Sequence, residues 1–239
     1  MSVETRAYIG AKVLMGSDRS AKGRLWGWWY VCEHRLRTMR AYLWSIVMGS
    51  VANPVFYLIS LGVGLGALVD ARSGSRGVGG VPYVTFVGPA LLASAAITAG
   101  FEEVSFPVVG GFKWSREFWA MNATVVGGRQ VAAGVALAAV IRMTATVAVF
   151  LGFLYAFGAV PAATGVLALP VAILGGLALA GPVMAFSASL ENDDGWFAII
   201  NRFVIAPLFL FSGTFYPLNF LPLPLQVVGW ISPLWHVTE

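Results

Sequence analysis

The chain has 239 residues, 58% of them hydrophobic and only 11% charged, against about 25% charged in a soluble domain; with a mean hydropathy of +0.79 a soluble enzyme is excluded and one polytopic domain remains. The net charge of +4 does not describe a nucleic-acid surface, because eight of the fifteen Lys and Arg residues (Arg6, Lys12, Arg19, Lys22, Arg24, Arg35, Arg37 and Arg40) precede the first long apolar run, which is a positive-inside distribution. Cys32 is the single cysteine, so no disulfide forms within the chain.

Residues 1–23 read as a flexible, polar N-terminus with no cleavable signal peptide in view. From Arg24 to Arg40 the pattern is helical and amphipathic. Leu25, Trp29, Cys32, Leu36 and Met39 recur at four- and three-residue steps and share one face, while Glu33, His34, Arg37 and Arg40 project elsewhere. Trp26, Trp28 and Tyr30 flank that stripe. The pattern suits a helix lying in the membrane interface; a simple positive-inside anchor is the other reading.

Five apolar runs follow, at 43–69, 83–109, 131–158, 166–189 and 196–213. A bilayer core asks for about 20 apolar residues, and backbone groups in lipid must bond within their own segment, so each run is expected to be a spanning helix. The basic N-terminus belongs in the cytoplasm. The loop with Asp70, Arg72 and Arg76 then lies outside, the loop with Lys113, Arg116, Glu117 and Arg129 inside, the loop near Pro161 outside and the loop at 191–195 inside. Two basic residues in outer loops stand against eleven in the N-terminal segment and the second loop, which fixes this orientation.

Within the first run, Asn53-Pro54 implies a kink. Gly62 with Gly66, and Ala172, Gly176 and Ala180 in the fourth run, have the small-residue spacing of close helix packing. Glu102, Glu103 and Arg142 lie roughly 10–18 Å from the second inner loop at 1.5 Å per helical residue. Either Arg142 pairs with one of the glutamates, or its helix extends outward and it snorkels to the interface. Arg202, beside Asn201, has Asp193 and Asp194 as nearby candidate partners.

The second inner loop is the most suggestive site. Phe112, Trp119 and Met121 form a potential docking surface, with Lys113, Arg116 and Glu117 around it. A membrane-surface turn anchored by Trp114 and Trp119 is the alternative. Beyond Gly213 the segment through Pro217, Pro222 and Pro224 is too proline-rich to span and reads as a re-entrant hairpin on the outer face. No G-x-x-x-x-G-K-[ST] loop, H-E-x-x-H or cysteine pair occurs, and Ser212 with His236 lacks a G-x-S-x-G context. The fold expected is thus an all-α polytopic membrane protein: an N-terminal interfacial amphipathic helix, five transmembrane helices and an external re-entrant hairpin.

Three stretches resemble the ABC-2 type permeases, especially their daunorubicin-resistance and nodulation-factor export branch. The first is Asn53-Pro54 with Tyr57 and Gly62-Val63-Gly64-Leu65-Gly66. The second is Glu102 with Lys113-Trp114 and Met121-Asn122-Ala123-Thr124. The third is Phe211-Ser212-Gly213-Thr214-Phe215-Tyr216-Pro217-Leu218, with Leu221-Pro222 and Pro233-Leu234-Trp235-His236. The resemblance covers residues 24–239. It implies one ABC-2 type transmembrane domain over that range, without the sixth span that the family carries after the stretch matching Pro233–His236; a fragment or shortened chain is the simplest expectation. It implies a coupling helix at 112–124 (Phe112, Lys113, Trp114, Arg116, Glu117, Trp119, Met121, Thr124) seated on a separate ABC ATPase subunit that carries the ATP and Mg, so this chain itself holds no cofactor or metal. It implies a second permease subunit, a connecting helix at 24–40, and an external gate around Ser212, Gly213, Phe215, Tyr216, Pro217 and Pro222.

The function expected is the membrane subunit of an exporter in a bacterial cytoplasmic membrane, not an enzyme, moving an amphiphilic cargo such as a drug, glycolipid or polysaccharide-like molecule. Its partners are the ATPase, the second permease subunit and membrane lipids, with no nucleic acid. A secondary transporter or channel without an ATPase is the alternative.

Overall fold

The computed structural model describes residues 18–72, 80–160, 163–192 and 195–238. The N-terminal tail before Asp18, Arg76, the turn at Pro161, and Asp193 with Asp194 as partners of Arg202 lie outside the described residues. The described chain is helical apart from short connections. Helix α1 (Asp18–Ala41) leads through Tyr42 into α2 (Leu43–Tyr57). A wider, π-helical stretch, Leu58–Leu65, joins α2 to α3 (Gly66–Arg72). Next come α4 (Tyr83–Val104), α5 (Phe106–Lys113), α6 (Glu117–Asn122), α7 (Gly128–Ala156) and α8 (Ala168–Ser189). The chain ends with α9 (Trp196–Ile200), a second π-helical stretch at Asn201–Ile205, α10 (Ala206–Phe211), α11 (Leu223–Ile231) and α12 (Pro233–Thr238).

Among the described residues, four helical units are long and apolar enough to cross a membrane: Ala52–Ala71, Tyr83–Lys113, Gly128–Ala156 and Gly165–Ser189. The fifth run, read as a spanning helix, forms the shorter apolar helix Trp196–Phe211. It starts at Trp196 as read, directly after Gly195 at φ +84°, and stops two residues early, with Gly213 at φ +81° turning the chain just after its end, both glycines in the left-handed region that glycine enters freely. Both π-helical stretches stand next to a proline. Pro54 lies one turn before the first, and the ring of Pro207 lies four residues after Phe203 in the second. In the second stretch a wide turn removes the clash between the Pro207 ring and the Phe203 carbonyl four residues back.

Helix α4 is the axis of the bundle. Fifteen of its 22 residues are buried, and α7 and α8 pack along it. The Ala172, Gly176 and Ala180 row serves this packing. A Cβ on Gly176 would lie 3.1 Å from the Ala96 carbonyl oxygen and 2.6 Å from Met143 Sδ, so only glycine lets α8 approach α4 so closely.

Two sequence expectations need correction. The second apolar run is not one helix. It breaks at Ser105 (ψ −101°), with Pro107 just inside α5: in a continuous helix Pro107 would offer no N–H to the Glu103 carbonyl four residues back, and its ring would clash with that carbonyl. The predicted apolar stripe of α1 also does not share one environment: Cys32 is buried, whereas Leu25 and Trp29 are exposed. The inward row is Gly23, Gly27, Val31 and Arg35, four residues apart, with Cys32 beside it. A Cβ on Gly134 of α7 would lie 2.5 Å from the Trp28 carbonyl oxygen and 2.6 Å from Val31 Cβ. Close backbone approach, not the widest apolar face, sets how α1 rolls. Trp26, Trp29, Tyr30 and Leu25 point away from the bundle, where Trp and Tyr suit a water–lipid boundary.

Candidate functional site

The last turn of α4 carries Glu102 and Glu103, adjacent in sequence but differently placed. The Glu103 side chain is 2% exposed and that of Glu102 38%. One Glu103 oxygen accepts a hydrogen bond from Arg35 Nη2 of α1 at 2.6 Å, the other from Arg142 Nη1 of α7 at 3.2 Å. Arg142 Nη2 donates to Glu102. The pairing is therefore two guanidiniums around one buried carboxylate, and neither arginine reaches solvent: their side chains are 8% and 9% exposed.

The cluster extends to the surface through α6. Its first residue, Glu117, lies 3.6 Å from Arg35 Nη1 and 3.1 Å from His34 Nε2. A carboxylate in the first turn is favoured there by the helix dipole. Arg35 thus touches Glu103 inside the bundle and Glu117 on the outer segment. Glu102, Glu103 and Arg142 were recognisable in the sequence; Arg35 and His34 were passed over. The overlooked signal is the four-residue spacing of Gly23, Gly27, Val31 and Arg35, which puts the arginine on the close-packed row.

The 112–124 segment is a helical hairpin, not a single helix. Gly110 and Gly111 near the end of α5 leave room for the rings of Trp114 and Phe118: a Cβ on Gly111 would lie 2.3 Å from the Phe118 ring. The turn passes through Arg116 at φ +55°, a left-handed conformation that is strained for a residue with a Cβ. Phe118, absent from the predicted set, is buried. Phe112 turns inward, edge to face with Phe118 at 5.0 Å, and Met121 packs on the main core. Trp119 is 61% exposed and its indole N–H donates to the Phe112 carbonyl. Lys113, Trp114, Arg116 and Thr124 are exposed as well. The outward surface is therefore Trp114 and Trp119 among Lys113, Arg116 and Thr124, with Glu117 at its edge.

At the other end of α4 the predicted gate residues form a tight turn. Ser212 and Thr214 are buried with their hydroxyls 2.9 Å apart. The Phe215 carbonyl accepts from the Tyr83 hydroxyl at 3.1 Å, and the Tyr216 hydroxyl donates to the Leu210 carbonyl. Pro217 precedes a short helical turn at Leu218–Phe220, and exposed Pro222 precedes α11. Then α12 folds back so that Leu234 packs on Ala93 and Ile97, midway along α4.

Comparison with known proteins adds a family. Residues 28–239 match the family described as ABC-2 type transporter. Nodulation protein J of Rhizobium leguminosarum bv. trifolii is 32% identical over 197 residues, 80% of this chain and 70% of that protein. Nodulation protein J of Rhizobium meliloti strain 1021 is 30% identical over 218 residues, 88% of this chain and 78% of that protein. No solved structure matches.

Proposed function

The chain belongs to the ABC-2 type transporter family and is an ABC transporter permease, and from that premise we propose that it works as the multi-pass membrane subunit of an exporter driven by a separate ATPase subunit. The ATPase carries the ATP and Mg. Two permease subunits pair, identical or not, in a bacterial inner membrane with the N-terminus cytoplasmic. Helix α1 is the connecting helix, the hairpin from Phe112 to Thr124 is the coupling element on which the ATPase sits, and the turn at Ser212–Pro217 with α11 and α12 is the external gate.

One observation carries this reading: Arg35 links Glu117 on the exposed hairpin to Glu103 between α4 and α7. A load on α6 reaches two membrane helices through charge contacts, with Trp114 and Trp119 providing the aromatic anchors that protein partners favour. Drawing two such hairpins together would then reshape the path lined by the first, second and fifth apolar segments, which suits an amphiphilic cargo.

The experiment is co-purification of the chain with a co-expressed candidate ABC ATPase subunit, followed by ATPase assay of the complex. Trp114→Ala is expected to lower association, and Glu117→Ala to leave association but reduce cargo-stimulated hydrolysis. Wild-type behaviour in both variants would remove the coupling role.

A further inference from the structure

A cavity of about 320 Å³ opens between α2, α4 and the second π-helical stretch. Its wall is mixed: Ile205, Leu208 and Phe209 alternate with Asn53, Thr98 and Asn201. The Tyr57 ring stands at one side with its centroid 5.8 Å from that of Phe209. Among the described lining residues Glu102 is the one charged at neutral pH.

We propose that this cavity binds the cationic head of an amphiphile, with Glu102 as its counter-ion. Glu103 is enclosed by arginines, whereas Glu102 keeps its bond to Arg142 and still faces the opening, 38% exposed. Behind that wall the cluster sets three carboxylates, Glu102, Glu103 and Glu117, against two guanidiniums, Arg35 and Arg142. Glu102 is the charge that the described cavity wall presents, and low surrounding polarity strengthens its pull on a cation. An anion is repelled there, whereas a substituted ammonium gains the carboxylate and the face of Tyr57. The volume lies at the small end of ligand sites, enough for a head group and the start of its body.

This deepens the permease reading by naming a cargo class, and it rests on that reading only for the step from binding to transport. The test uses the full chain in phosphatidylcholine nanodiscs without any ATPase, with tritiated tetraphenylphosphonium as the probe. Saturable binding is expected, displaced by dodecyltrimethylammonium and not by the same concentration of dodecyl maltoside. Glu102→Gln keeps the side-chain shape and is expected to weaken binding at least about tenfold, as loss of a partly buried charge partner does. Ala206→Trp fills the cavity without touching the ion cluster and is expected to abolish binding. Absence of saturable binding, equal displacement by the maltoside, or wild-type affinity in both variants overturns the proposal. Probe binding by a chain that never associates with its ATPase would sink the coupling reading alone; association without probe binding would sink this one alone.

Discussion

Arg35 and Glu103 are 68 residues apart in the chain, and their side chains meet at 2.6 Å in the interior. The bond fastens a helix that precedes the first span to the second span. Both groups are buried, so losing Arg35 leaves Glu103 with only Arg142, which it shares with Glu102, and losing Glu103 leaves Arg35 with only the longer contact to Glu117, in a medium that solvates charge poorly.

Arg35→Gln is therefore expected to lower stability by up to about 3–5 kcal/mol, the range for breaking a buried pair outright. Arg35→Gln with Glu103→Gln should recover part of that loss, because Arg142 retains Glu102. Equilibrium unfolding in mixed detergent micelles of all four species gives the coupling. Strictly additive losses would show that the contact is not energetically meaningful.

Gly134→Ala is expected to lift α1 from α7. The added methyl would sit 2.5 Å from the Trp28 carbonyl oxygen, and backbone cannot yield there as a flexible side chain would. Overpacking of this kind costs about 1–3 kcal/mol. Limited proteolysis should release α1 faster from the variant, while the remaining bundle stays protected.

Cys32 reports the same contact by chemistry. It is fully buried, and burial pushes its thiol up from the ordinary value, so less thiolate exists at a given pH. Maleimide labelling of the native chain at pH 7.5 is expected to be at least about tenfold slower than at a cysteine placed on exposed Lys113 in a Cys32→Ala background. Gly134→Ala should speed the reaction at Cys32. Equal rates at the two sites would mean that α1 does not dock as described.

Arg116→Gly should relieve the turn between α5 and α6. A side chain at φ +55° costs about 1 kcal/mol, which glycine avoids. A modest rise in thermal stability is expected, and Arg116→Val should lower it. The opposite order in a thermal scan would show that the turn is held by the arginine side chain rather than strained by it.

Much of the bundle was legible because lipid leaves the backbone few options. Uninterrupted apolarity marked the second, third and fourth long helices, and the small-residue row at Ala172, Gly176 and Ala180 marked a packing face. Glu102, Glu103 and Arg142 stood out because ionised groups are rare in such surroundings. What stayed hidden depended on neighbours distant in sequence. Arg35 looked like one more basic residue of a positive-inside segment, and only the glycines of its own helix and of α7 turn it inward. The break at Ser105 was masked by apolar residues on both sides. The fifth helix stops at Phe211, two residues before the run ends, beside a turn through Gly213 at positive φ, which hydropathy does not weigh.

The interruption at Ser105 decides how force can travel. A continuous rod would hand any axial thrust on α5 straight along α4, but this joint has lost its rigid ladder at the place where the thrust would pass. Arg35 spans the gap from the side like a tie bar, so under the proposed coupling a pull on the hairpin would reach α4 crosswise, as torque rather than as a push.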